Sequence, residues 1–101
     1  MKNYNELQAL VIAWATQKGI LDKGTPHAQC EKTFEEVEEL ETAILDGDKA
    51  EIIDALGDIL VTIIIQAEMQ GLNLVECLES AYNEIKNRKG VMKNGHFIRD
   101  K

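Results

Sequence analysis

The sequence predicts an all-α fold: a four-helix, bundle-like arrangement with a short C-terminal hairpin tail. Three observations lead there. Apolar residues recur every three to four positions through most of the chain, the spacing that lines one face of a helix. The 101 residues include one proline and seven glycines, so few positions interrupt long regular elements. Aromatic residues make up only 5% of the chain, and runs rich in strand-forming residues are scarce. The length suits one domain, residues 1–101, and is too short for two. A core this small gains little from burial, so association with a copy of itself would help.

The first helix is expected from about Tyr4 to Lys18, where Tyr4, Leu7, Val11, Trp14 and Ala15 follow helical spacing. Gly19 ends it, and DKGTPHAQ reads as a connection. Thr25 followed by Pro26 marks the next start, an N-cap residue with proline at the first helical position. This second helix continues to about Leu45, with Phe34, Val37, Leu40 and Ile44 as its apolar stripe. Asp46-Gly47-Asp48 is a turn, and Asp48 with Glu51 three residues on caps the third helix. That helix, about Lys49–Gln70, is apolar almost all round, which predicts neighbours on several sides. Gly71 ends it. The fourth helix, about Leu74–Asn87, places Leu74, Cys77, Leu78, Ala81, Tyr82 and Ile85 on one face. In the tail VMKNGHFI, Asn94-Gly95 between apolar residues signals a two-residue hairpin turn.

The net charge is −7, from 18 acidic and 11 basic side chains, which argues against a broad nucleic-acid-binding face. The charge is unevenly spread. Residues 31–58 hold eleven Asp/Glu and two Lys, whereas residues 86–101 hold six Lys/Arg and one acid. The tail is a basic island on an acidic protein. The longest tightly apolar run, Ile59–Ile65, falls far short of the roughly 20 residues that span a bilayer. The polar start MKNYNE has no signal-peptide character, and Cys30 and Cys77 form no CxxC pattern. The expectation is a cytoplasmic protein with no membrane partner.

The chemistry lies in the acids. On the third helix Asp54, Asp58, Thr62 and Gln66 recur every four residues, a narrow polar stripe on an apolar rod. An unpaired carboxylate in such a place is costly. The second helix offers no compensating cation: within EKTFEEVEELE, Glu35, Glu36 and Glu39 lie within about 100° of helix circumference. If the two helices form an antiparallel hairpin around the Asp46–Asp48 turn, four or five carboxylates meet at one spot. Taken alone, a Glu-rich face is ordinarily a solvated surface. Together with the α-helical aspartates, it points to a shared cation. Hard oxygen donors without imidazole or thiolate favour Mg2+, with Mn2+ as a substitute.

These residues resemble the all-α nucleoside triphosphate pyrophosphohydrolases, and among them the small MazG-like proteins, often phage-encoded. AWATQKGIL with TPHAQCEKTFEEVEEL is similar to the family's first two helices, DALGDILV to the start of its third, and AYNEIKNRKGVMKNGHFIRDK to its tail. The family pattern is EExxE followed, after a spacer, by ExxD. Glu35, Glu36 and Glu39 match the first half and Asp58 the last position; Ala55 stands in place of the family's glutamate, with Asp54 one residue earlier.

The resemblance implies a homodimer or homotetramer that cleaves a nucleoside triphosphate to monophosphate and pyrophosphate. It implies Mg2+ held by Glu36, Glu39, Asp54 and Asp58, with Glu35 or equally Glu36 activating a water. Asn83 and Lys86 are the phosphate contacts that the resemblance implies, and the charge of the basic tail adds Lys89, with Arg88 and Lys93, as further candidates. The same cations also suit a helix C-terminus. Gln29 and Lys32 match the family's approach to EExxE and would line the site. Trp14 either stacks on a base or packs in the core. Two rival readings remain: a phosphoribosyl-ATP or non-canonical nucleotide hydrolase, and a catalytically weak or inactive nucleotide-binding or oligomerisation module of the same fold. Mg2+ dependence separates the enzyme from the module.

Overall fold

The structure is a computed structural model and describes residues 1–100. Five helices and a hairpin follow one another: α1 (Tyr4–Gln17), α2 (Ile20–Lys23), α3 (Pro26–Asp46), α4 (Lys49–Met69), α5 (Leu74–Ile85), β1 (Gly90–Lys93) and β2 (His96–Arg99). The fold is all-α with a two-stranded C-terminal appendage, as the spacing predicts.

Side chains cap the four longer helices. Asn3 accepts from the Glu6 amide, Thr25 from Ala28, Asp48 from Glu51 and Asn73 from Val75. Each such cap contributes about 1 kcal/mol. Where the sequence suggests only a connection, the structure has the short helix α2. Gly19 takes a left-handed conformation (φ +79°) and turns the chain. A single helical turn then closes through Lys23 N–H to Gly19 O (2.9 Å) and Gly24 N–H to Ile20 O (2.8 Å). In the tail, Asn94 and Gly95 both have positive φ, and Lys93 pairs with His96 across them. That is the mirror-image turn the Asn-Gly pair favours.

The centre of the molecule is the antiparallel pair α3–α4. Gln66 Nε2 donates to Pro26 O (2.8 Å), Gln29 Nε2 to Thr62 O (3.1 Å), and Thr33 Oγ1 to Thr62 Oγ1 (2.9 Å). Ascending positions on α3 meet descending positions on α4. Helices α1, α2 and α5 pack on α4, while β1 and β2 pack only on each other.

Burial does not follow the expected apolar stripe of α3. The face turned to α4 carries Gln29, Glu36 and Ala43, all buried, whereas Phe34, Val37 and Ile44 are exposed. Helix α4 likewise leaves Ile53, Leu56 and Leu60 open, and α5 exposes Val75, Leu78, Tyr82 and Ile85. Neighbours do reach α4 on several sides, as expected, yet these apolar residues stay uncovered in the single chain. Its radius of gyration is 15.9 Å, against roughly 13 Å for a compact domain of this length. Both cysteines are free and exposed rather than close to a core.

Candidate active site

Because α3 presents its polar face to α4, three acids converge. A carboxylate oxygen from each of Glu36, Glu39 and Asp58 lies within 4.8 Å of the other two. Glu36 and Glu39 are three residues apart on α3 and so share a face; Asp58 reaches them from α4. Glu39 and Asp58 are exposed, whereas Glu36 is only 7% exposed.

The surroundings of Glu36 are unequal. Its Oε1 is 3.5 Å from Lys32 Nζ, so α3 does carry a cation beside its acids, against the expectation that it offers none. Its Oε2 is buried and has no hydrogen-bond partner among the described residues. Leaving such an atom unsatisfied costs about 1–3 kcal/mol. Lys32 Nζ also donates to Glu35 Oε2 at 3.1 Å. That hydrogen bond, with the charges of Glu35 and Glu36, raises the Lys32 ammonium above its usual pKa.

Beside the acids is a cavity of about 260 Å³. Lys32, Glu36 and Asp58 stand on its polar side; Trp14, Ile20, Val61 and Ile65 supply apolar wall, and Gln29 and Thr62 complete it. Its floor is well fixed. Thr62 Oγ1 donates to Ile59 O (2.7 Å) while receiving the Thr33 hydroxyl, and the Thr62 carbonyl holds the Gln29 amide.

The donor set suits a hard divalent cation: three carboxylates together, with no imidazole or thiolate among them. The buried, unpartnered Glu36 Oε2 is the independent sign that something positive or hydrogen-bearing is missing from its side. On both counts the residues fit the ion.

The structure gathers some sequence-predicted site residues and not others. Glu36, Glu39 and Asp58 come together, with Trp14 at the same cavity as Glu36 and Asp58. Trp14 is 47% exposed, so it is cavity wall rather than core. Asp54 is exposed and outside the group; it lies one turn before Asp58, about 6 Å along the axis. Ala55, at the family's glutamate position, is buried. Glu35 is exposed and turned to Lys32. Asn83 on α5 and Lys86 at its C-cap contact each other (3.3 Å), and α5 packs on α4 but not α3. Lys89 lines a separate groove with Glu84, Asn87, Arg88, Arg99 and Asp100, and Lys93 ends β1 in solvent. None of these four lines the acid-bearing cavity of its own chain. Thr33 and Thr62 join the site without a motif to announce them. The four-residue polar stripe on α4 is the available signal, and three of its four members do face α3.

No helix among the described residues is long and apolar enough to cross a membrane. No curated protein and no solved structure matches the chain. The family model of phosphoribosyl-ATP pyrophosphohydrolase matches residues 14–85, which is more than half of the chain and spans Trp14, α3 and α4. The chain therefore belongs to the phosphoribosyl-ATP pyrophosphohydrolase family, MazG-like all-α hydrolases of phosphoric anhydrides.

Proposed function

We propose that the protein is a Mg2+-dependent pyrophosphohydrolase of nucleoside triphosphates, releasing a monophosphate and pyrophosphate. The observation that carries this reading is the convergence of Glu36, Glu39 and Asp58, with a buried, unpartnered Glu36 oxygen, beside a cavity walled by Trp14. Glu36, Glu39 and Asp58 would hold the ion, with Mn2+ as a substitute. A divalent ion bound there neutralises phosphate charge and lowers the pKa of a coordinated water.

The chain's own groups supply the rest. Glu35, exposed and next to the acid cluster on α3, accepts the proton of the attacking water. The water oxygen bonds to the α-phosphorus, and the bond from that phosphorus to the bridging oxygen breaks. The bridging oxygen leaves on pyrophosphate. Lys32 Nζ, between Glu35 and Glu36, offers positive charge to a phosphate oxygen. Trp14 stacks on the base.

One lysine is little positive charge for a triphosphate. Asn83, Lys86, Lys89 and Lys93 belong to this reading as phosphate contacts delivered by a second copy of the chain. The exposed apolar faces of α3, α4 and α5 support such a homodimer or homotetramer. A second substrate, phosphoribosyl-ATP, is favoured by the family match and carries the same triphosphate. Pyrophosphate release measured with ATP, the other nucleoside triphosphates and phosphoribosyl-ATP, with Mg2+ and with EDTA, tests the proposal. Metal-dependent release supports it; absence of release from every substrate refutes it.

A further inference from the structure

We infer that Gln29 selects nucleobases with an amino group at the ring position of adenine N6 or cytosine N4, accepting that amine's hydrogen bond through Oε1. This rests on reading the 260 Å³ cavity as the nucleotide site.

The orientation of the Gln29 amide follows from its partner. The Thr62 carbonyl is only an acceptor, so Gln29 must turn its NH2 toward it, at 3.1 Å. Thr62 is itself anchored by Thr33 and by the Ile59 carbonyl. The other end of the amide is thus fixed as an oxygen. That oxygen accepts no hydrogen bond from the described residues, although Gln29 is only 8% exposed. Glu36 Oε2 is the one fully buried, unpartnered side-chain atom among the described residues, so Gln29 Oε1 is not sealed off. The space Gln29 borders is the cavity.

Position along α3 suits the base. Gln29 and Glu36 are seven residues apart, about 10 Å along the helix axis. That separation is comparable with the reach of a nucleoside from its 5′ oxygen to the far edge of its ring. With the α-phosphate at the acids, the base lies toward Gln29, and Trp14, Val61 and Ile65 offer apolar surface to its faces. Hypoxanthine and uracil carry a carbonyl where adenine and cytosine carry the amine. Against Gln29 Oε1, a carbonyl would set two acceptors face to face, at the expense of both.

The test compares kcat/KM for ATP with ITP and for CTP with UTP, in wild type and Gln29→Met. The wild type should favour the amine-bearing member of each pair by about tenfold or more, the size of one well-placed hydrogen bond. Gln29→Met should collapse both ratios to within about twofold, through loss on the amine-bearing member and relief of the opposed acceptors on the other. The ratio of ATP to dATP should not move, because the sugar is read elsewhere. A wild-type ratio near one with all four nucleotides hydrolysed overturns the inference and leaves the hydrolase reading standing. Equal losses on both members, or a shift confined to ATP against dATP, also overturn it. Should Gln29→Met not fold, Gln29→Leu is read in the same two ratios and should collapse them likewise, while a wild-type ratio near one overturns the inference without any variant. If no nucleotide is hydrolysed and none perturbs Trp14 fluorescence, the hydrolase reading fails and the inference falls with it.

Discussion

Replacing Glu36 with glutamine should stabilise the metal-free protein and abolish its response to Mg2+. In the wild type the Oε2 atom is buried without a partner, beside the carboxylates of Glu39 and Asp58. An unsatisfied buried atom of this kind costs about 1–3 kcal/mol. The glutamine side chain is nearly isosteric with glutamate, and its amide nitrogen would donate to one of those carboxylates. The substitution gives up only the 3.5 Å approach of Lys32, a half-exposed lysine. Such a pair is worth less than about 1 kcal/mol. The net gain is then about 1 kcal/mol, or roughly 5 °C in Tm for a domain of this size. Mg2+ at a hundred times its Kd should stabilise the wild type by about 2.7 kcal/mol and Glu36→Gln hardly at all. Thermal melts followed by circular dichroism, at one protein concentration with EDTA and with Mg2+, read both effects. A Glu36→Gln protein that melts below wild type in EDTA, yet keeps the full Mg2+ shift, would refute the assignment of Glu36 as a strained ligand.

Other outcomes follow from the same geometry. Glu39→Gln and Asp58→Asn should each lower pyrophosphate release at least about 100-fold while leaving the helical signal intact, checked by a phosphate-coupled assay beside far-UV circular dichroism. Trp14 is the single tryptophan, so its emission reports the cavity directly; nucleotide should quench it, and Trp14→Ala should raise KM more than it lowers kcat. Gly24→Ala should destabilise by about 1–3 kcal/mol in a denaturant melt. The added Cβ would stand 2.5 Å from Ile20 O and 2.7 Å from Met69 Cε, and the former is rigid backbone.

Much of the local structure was legible because its determinants are local. Thr25-Pro26, Asp48 and Asn94-Gly95 set their own backbone geometry through hydrogen bonds and restricted φ, and the structure places helix starts and a turn there. The convergence of Glu36, Glu39 and Asp58 was legible for a different reason. A short turn forces two long helices into an antiparallel pair, and the four-residue polar stripe of α4 has to face something. The orientation of α3 was not legible. Periodicity alone marks Phe34, Val37, Leu40 and Ile44 as the buried stripe. Of these only Leu40 is part-buried; the helix instead turns Gln29, Thr33, Glu36 and Ala43 toward α4, where hydrogen bonds between the two helices hold it. A hydropathy pattern identifies an apolar face but not whether its cover comes from the same chain. The place of Asp54 outside the cluster was likewise beyond the pattern, since one residue of offset on a helix moves a side chain by about 100°. The burial of Gln29 had no composition signal at all; it depends on where Thr62 arrives from α4.

Titrating Mn2+ into the protein, with free ion followed by electron paramagnetic resonance, tests most directly whether the two long helices share one cation. Wild type and Asp54→Asn should bind Mn2+ alike, and Asp58→Asn and Glu36→Gln should weaken binding by at least about 100-fold in Kd, the size expected when one partner of a charged contact is truncated. Equal binding by wild type, Asp58→Asn and Glu36→Gln would contradict the shared site.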